Sequence, residues 1–318
     1  MKSGPNRLHR ERFMPQSNQR KTTFRVPAST ANLGSGFDAL GLGLARYLRM
    51  AVQPASKLGI TVTGVNAERI ATDEENLIYR VAVNTSKRRT RELPPFHLWI
   101  DNEIPLARGM GSSAAAIIAG ITCYEILTGD VLDEQELFRC AFDFEDHPDN
   151  LGACLYGGLI AGVAAEDGTV QVARLQIPCK MSTVVVIPSF ELSTGVARAV
   201  LPKTYSFRDI IYNTQRSALV IAALTTCNKK LIREAMRDRI HQPYRAKLIP
   251  GLEEILELHI DGLLGVALSG AGPTVFAFVE PELAHEVGAA IAGTYKHHGV
   301  DAAPLLIEID TVGRVIDP

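Results

Sequence analysis

Between Ile104 and Gly120 the chain reads IPLARGMGSSAAAIIAG, small residues packed into the place where a loop enters a helix. The first turn of a helix carries four backbone N–H groups without intrahelical partners, at the positive end of the dipole. Glycines just before that turn let the oxygens of an anion approach the backbone, and such a nest of N–H groups binds phosphate. Ser112 or Ser113 can cap the helix or offer a hydroxyl to a phosphate-bound cation. The stretch is not a GxxxxGK[ST] loop, because no lysine follows the second glycine. Nor is it a dinucleotide fingerprint, which needs a third glycine and an acidic residue about 20 positions on. Taken alone, it fits phosphate binding and a plain buried helix cap equally well.

Two more loops have the same character. In VPASTANLGSGFDALGLGL, Asn32 and Asp38 stand among small residues directly after a strand. An Asx-turn accounts for Asn32. A carboxylate at Asp38, set among Phe37, Leu40 and Leu42, calls for a cation such as a substrate ammonium. In LSGAGPTVFAFV, Gly272-Pro273 reads as a β-turn, while Ser269, Gly270 and Gly272 leave room for another backbone or a phosphate.

The elements that must position these loops alternate in type. Strands are expected at TTFRVPAS (broken by Pro27), at LRMAVQPA paired with LGITVTGV, and at PFHLWIDNEIPL. Helices are expected over NLIYRVAVNTSKRR, from Ser112 to Leu127, and over DEQELFRCAFDFEDH with Asp133 as N-cap. After YGGLIAGVAAEDG and the strand MSTVVVIPS, the second half shows helices around Ile210–Leu224, Asn228–Arg237 and Gly251–His259. It then gives strands LLGVALSG and TVFAFVE, a helix through ELAHEVGAAIAGTYKHHG, and a closing strand APLLIEID. This is an α+β pattern in two halves, divided near Pro178: a basic, disordered tail over 1–21, one domain over 22–178 and another over 179–318. The KRRTR run from Lys87 reads as a solvated helix end or loop.

The bulk numbers exclude several functions. The 318 residues are 46% hydrophobic and 21% charged with a net charge of −2, so a packed core is expected and no field favours nucleic acid. Aromatic residues make up 6% and do not interleave with basic ones, as single-strand binders require. No apolar run is long enough to span a bilayer, and the N-terminus lacks the apolar stretch of a secretory signal. The five cysteines are odd in number and widely spaced, which argues against a disulfide framework or a zinc site and fits a reducing cytoplasm.

Taken together, the three loops resemble the GHMP kinase superfamily. Its central motif, Pro-x-x-x-Gly-Leu-Gly-Ser-Ser-Ala-Ala, is matched by PLARGMGSSAA with Met110 in place of leucine. By that resemblance Pro105, Leu106, Ala107, Arg108, Gly109, Met110, Gly111, Ser112, Ser113, Ala114 and Ala115 form the ATP-binding stretch, and LSGAGPTVFAF lies near it. Within the superfamily VPASTANLGSGFDALGLGL, HPDNLGACLYGGL, LSTGVARAVLP and PYRAKLIPG are similar to the homoserine kinases, and the likeness runs from Thr23 to Val279. It implies an N-terminal domain like ribosomal protein S5 domain 2, a ferredoxin-like C-terminal domain, a site between them and a homodimer.

The implied reaction is ATP- and Mg²⁺-dependent phosphorylation of the side-chain hydroxyl of L-homoserine, in threonine biosynthesis. A zwitterion needs a carboxylate for its ammonium and guanidinium groups for its carboxylate. The resemblance assigns Asn32 and Asp38 to the amino end, Arg198 and Arg245 to the carboxylate, and His147 and Asn150 to the neighbourhood of the hydroxyl. Glu145 is the expected Mg²⁺ ligand, with Ser112 or Ser113 second, and Thr194 is expected near the transferred phosphate. Asp146 stands where the homoserine kinases usually carry glycine. Asp149 is the nearest carboxylate by sequence, yet no strong base is expected, the proton leaving late to a phosphate oxygen or water. Two alternatives are a GHMP-type kinase for mevalonate, a sugar or shikimate, and a catalytically silent nucleotide-binding protein on the same fold.

Overall fold

The computed structural model describes residues 20–317, so most of the basic tail lies outside the described residues. The first half opens with β1 (Thr22–Ala31), β2 (Leu40–Pro54) and β3 (Gly59–Gly64), then α1 (Leu77–Arg88) and β4 (Phe96–Asn102). Three helices follow, α2 (Ser112–Thr128), α3 (Glu134–Ala141) and α4 (Pro148–Tyr156), and then β5 (Leu159–Ala164) and β6 (Val170–Leu175). The second half begins with β7 (Ser182–Pro188) and continues through α5 (Thr194–Ala199), α6 (Phe207–Thr225), α7 (Lys229–Ala235), α8 (Gln242–Arg245) and α9 (Leu252–Leu256). It ends with β8 (Leu263–Leu268), β9 (Val275–Val279), α10 (Ala284–His297), β10 (Ala302–Ile307) and β11 (Val315–Ile316).

One seven-stranded sheet runs β11-β1-β2-β4-β3, with β5 pairing β2 and β6 pairing β5. The other is a four-stranded antiparallel sheet in the order β10-β7-β9-β8. The chain end returns to the first half: β11 pairs β1, and Ile309 bridges Leu44. Helix α2 is apolar on all sides and buried from Ala114 to Glu125, which is what a helix between a sheet and other helices must be. Its neighbours α1 and α4 share the same core with Phe24, Leu98 and Ile118. That core extends to Val220, Ile232, Met236 and Phe276, so the two halves share one hydrophobic core. No helix among the described residues is long and apolar enough to cross a membrane.

Several expectations are corrected. Strand β1 continues through Pro27, with a register shift between Pro27 and Ala28 that absorbs the missing N–H donor. Strands β2 and β3 are not partners; β4 lies between them and pairs β3 in parallel, because α1 carries the chain across before it returns. The helix begun at Asp133 stops at Ala141, and the residues HPDN open the separate helix α4 with Pro148 at its first turn. Cys179 and Cys227 form a disulfide across 48 residues, against the expectation of none. Their spacing carried no signal, because only the packing of α6 beside the link into β7 brings their Cα atoms to 5.3 Å. Cys123 and Cys154 are buried free thiols, as expected of core residues.

Candidate active site

The phosphate-type loop sits where three elements hold its backbone. Ser29 of β1 donates its N–H to the Met110 carbonyl, Leu192 donates to Ala107, and Thr274 donates to Arg108. Gly109 and Gly111 both have positive φ, at 78° and 68°. A Cβ on Gly109 would lie 2.2 Å from the Ser269 carbonyl oxygen, so the third loop presses directly on the first. Gly111 is the N-cap of α2 and no side chain caps the helix, so neither serine does. The first helical bond runs from Ala115 N to Gly111 O, which leaves the N–H groups of Ser112, Ser113 and Ala114 without intrahelical partners. These residues line a cavity of about 320 Å³ with Gly109, Met110 and Gly111.

The same cavity takes in Asn32, Asp38, Glu145, His147, Asn150, Thr194, Arg198 and Arg245, drawn from both halves of the chain. Asn32 Oδ1 accepts the Asp38 N–H at 3.0 Å, and Asn32 Nδ2 donates to the Gly270 carbonyl at 3.0 Å. Asn32, Leu33 and Asp38 all have positive φ, so this loop is held in a conformation its own residues disfavour. Arg198 Nη2 donates to both carboxylate oxygens of Asp38, at 2.9 and 3.1 Å, and contacts His147 Nε2. Arg245 is 2% exposed, and burial pulls its pKa down to about 10. Thr194 is an exposed residue at the start of α5.

His147 precedes α4 and presents both ring nitrogens to partners. An arginine only donates, so Nε2 accepts from Arg198 and the proton sits on Nδ1, which donates to Glu145 Oε1 at 2.5 Å. Asp146 Oδ1 also approaches Nδ1, at 2.9 Å. Burial depresses the His147 pKa, but the Glu145 hydrogen bond and the Asp38 charge outweigh it and the net direction is up. Asn150 is oriented by a chain of donors: Cys154 Sγ donates to Ser29 Oγ, which donates to Asn150 Oδ1 at 2.8 Å. The amide nitrogen of Asn150 contacts Asp149 Oδ1 at 3.4 Å with one N–H, which leaves its other N–H for a ligand. Asp149 is 2% exposed, and burial pushes its carboxyl up to about 7, with the Asp38 and Glu145 charges adding to the rise.

A second cavity, about 400 Å³, adjoins the first through Ser112 and Ser113. Its wall is largely apolar, from Ile70, Leu77, Ile100, Ile104 and Ala116, with Arg69, Glu75, Asn76 and Asn102 among its polar points. Sequence reasoning missed it, because its residues come from separate elements and each looks like ordinary core. Leu106 lines this cavity and Ala107 lines both, whereas Pro105, Arg108 and Ala115 line neither. Arg108 instead donates to the carbonyls of Pro188 and Phe190, tying the loop to the strand end of the second sheet.

A small-residue loop at a helix N-terminus, a charged pocket opposite it and two α+β halves agree with a family match. The model for the GHMP kinases N terminal domain matches residues 76–158, and that for the GHMP kinases C terminal domain matches residues 220–297. The chain belongs to the GHMP kinases, phosphotransferases that take ATP as co-substrate. A homoserine kinase of Deinococcus radiodurans is 41% identical over 304 residues, covering 94% of this chain and 97% of that protein. One of Solibacter usitatus is 44% identical over 256 residues, covering 80% of this chain and 84% of that one. The crystal structure of homoserine kinase from Cytophaga hutchinsonii superposes with a TM-score of 0.82 at 26% identity, over 95% of this chain and 99% of that one. Within the GHMP kinases, the chain therefore belongs to the homoserine kinase family.

Proposed function

We propose that this protein transfers the γ-phosphoryl group of ATP to the side-chain hydroxyl of L-homoserine, giving O-phospho-L-homoserine for threonine biosynthesis. One observation carries the reading: a single cavity holds the unpartnered N–H groups of α2 on one side and the Asp38, Arg198 and Arg245 cluster on the other. The first suits a phosphate chain and the second an α-amino acid zwitterion. Asp38 takes the ammonium with Asn32 holding its loop, Arg198 and Arg245 take the carboxylate, and His147 and Asn150 flank the hydroxyl. The adjoining apolar cavity takes the nucleotide base, since its joint with the first lies at Ser112 and Ser113.

Mg²⁺ fits the donor set at the cavity wall. Glu145 and the hydroxyls of Ser112 and Ser113 are hard oxygen donors, and this ion prefers one or two protein oxygens plus phosphates and water. His147 engages Oε1 of Glu145, which leaves Oε2 as the oxygen for a metal. Bound there, the ion would supply charge stabilisation to the phosphate oxygens.

Phosphoryl transfer runs through a loose transition state whose charge lies on the γ-phosphate oxygens, so positioning and fixed dipoles do most of the catalysis. The N–H groups of Ser112 to Ala114 face that charge, with Thr194 beside the transferred group. Asn150 offers an amide N–H and therefore orients the hydroxyl oxygen without removing its proton. Asp149→Asn is expected to keep turnover within about tenfold of wild type, a size general base catalysis would exceed. A thousandfold loss with an intact fold would make Asp149 the base. The same substitution has a stability signature. Between the ordinary carboxylate value near 4 and about 7, native Asp149 holds a proton that the unfolded chain releases, so its contribution to stability falls as pH rises through that window. Urea unfolding at pH 5 and pH 8 should show a slope in wild type, on the order of a few kcal/mol, that Asp149→Asn flattens.

The substrate assignment is tested by coupled ADP release with L-homoserine against mevalonate, L-serine, galactose and shikimate, each with Mg²⁺ and with EDTA. The expected outcome is metal-dependent turnover with homoserine at least a hundredfold above mevalonate, galactose and shikimate, as a site built for both charges rejects ligands lacking one; L-serine carries both and is disfavoured only by the reach of its shorter side chain. Turnover with another alcohol would discard the substrate. ATP binding without turnover on any of them would indicate a silent binder.

A further inference from the structure

His241 is a fully buried titratable side chain that the reaction above does not use. It precedes α8, and its Nε2 lies 2.8 Å from the carbonyl oxygen of Gly34. A carbonyl only accepts, so Nε2 carries the proton and Nδ1 is bare. Nδ1 lies 3.2 Å from Arg245 Nη1, and a guanidinium only donates, so the two contacts require the same neutral tautomer. The imidazole face stacks on Phe37 at 4.9 Å and 18°. The guanidinium groups of Arg245 and Arg198 sit 5.3 and 5.7 Å from that same Phe37 ring. His241 is thus the side chain that joins the Asn32–Asp38 loop to the helix carrying Arg245.

Three of the five N–H donors of Arg245 are committed. Nε donates to Ala197 O at 3.1 Å, and the two N–H bonds of Nη1 go to Gly270 O at 3.0 Å and to His241. Nη2 is left without a protein partner among the described residues, in a residue that lines the cavity. Arg245 therefore meets a carboxylate through Nη2, and its rotation about that direction is set by what holds Nε and Nη1. Two of those three partners are main-chain carbonyls; the third is His241.

Resting on Arg245 as a partner of the substrate carboxylate, we propose that His241 is a positioning residue for substrate affinity, its bare Nδ1 fixing the guanidinium so that Nη2 faces the carboxylate. The groups around it keep the ring neutral: burial lowers its pKa and the Arg245 charge opposes a proton, against the acidic pull of Asp238 and Asp38. A protonated ring would turn an N–H toward the guanidinium and break the contact.

The test compares two substitutions that each keep half of the imidazole. The side-chain nitrogen of His241→Gln reaches the Nε2 position, preserving the bond to Gly34 while losing the acceptor for Arg245. The oxygen of His241→Asn reaches the Nδ1 position and restores that acceptor. A hydrogen bond to a charged group is worth tenfold or more in an equilibrium constant. His241→Gln is expected to raise the homoserine KM by about tenfold or more while kcat and the ATP KM stay within about threefold. His241→Asn should bring the homoserine KM back to within about threefold of wild type. An unchanged KM in His241→Gln, or parallel changes in both KM values and kcat in both variants, would overturn the proposal. Arg245→Gln in the same series separates the two levels: if it leaves the homoserine KM unchanged, the carboxylate assignment itself falls. ¹⁵N-histidine NMR of the folded wild type gives a reading free of any folding defect. A proton on Nε2 supports the proposal, and a proton on Nδ1 overturns it.

Discussion

Asp38→Asn is expected to lower kcat/KM for homoserine by about thirtyfold to a few hundredfold while leaving the ATP KM within a few-fold of wild type. Asp38 is paired with Arg198 through both carboxylate oxygens. That pair is the mirror of the ligand, an anion and a cation placed where an α-amino acid brings a cation and an anion. In the proposed binding mode partners would be exchanged, the ammonium replacing Arg198 on Asp38 as the substrate carboxylate took Arg198 and Arg245. Because each charge released is recaptured by one arriving, a zwitterion enters without stranding any group. A ligand lacking either charge leaves one unpaired, which costs about 2–5 kcal/mol when the pair is desolvated. The pair is about a third exposed, which favours the lower half of that range. Asparagine is the right replacement because Asp38 has a φ of 56°, a conformation that asparagine adopts more readily than alanine. Steady-state kinetics with both substrates checks this, and a loss of less than tenfold would remove Asp38 from the ammonium site.

The other large effect is expected at Gly111. A Cβ there would stand 2.0 Å from Ser29 Oγ and 3.2 Å from Asn150 Oδ1, at a φ of 68°. Gly111→Ala therefore meets a rigid hydroxyl, displaces the Ser29 bond that orients Asn150, and tilts the first turn of α2. Turnover at saturating ATP should fall at least a hundredfold, with the ATP KM raised, because fixed donors lose their worth when misplaced by a fraction of an ångström. Gly129→Ala is the control. It has a comparable φ of 71° at the far end of the same helix, with nothing within 4 Å of the added Cβ. It should cost about 1 kcal/mol of stability for the left-handed backbone and leave kinetics alone. Equal kinetic losses in the two variants would mean that backbone strain in α2, and not the crowding at Ser29, controls activity.

Much of the site could be read from local chemistry. Glycines before a small-residue helix announce exposed N–H groups wherever that helix sits, and PLARGMGSSAA carries the same pattern with or without a fold around it. Most element types of the first half followed from hydrophobic period in the same way, the separate helix α4 excepted. Pro27 did not, because a register shift lets a strand pass a proline and nothing local foretells one. The pairing of β3 with β4 depends on where α1 carries the chain. The Cys179–Cys227 bond likewise depends on two distant segments meeting.

The glycine-rich loop before α2, the α+β order of the elements and the residue types a zwitterion would need can all be read from the chain alone, because each is a property of a short stretch and its backbone. The tertiary structure alone decided who pairs with whom. It set Asp38 on Arg198, committed three of the donors of Arg245, fixed the tautomers of His147 and His241 by what faces each nitrogen, and gathered the apolar cavity from scattered elements. Those are long-range contacts, and a charge or a ring nitrogen has no role until a partner from elsewhere in the chain is brought within hydrogen-bonding distance of it.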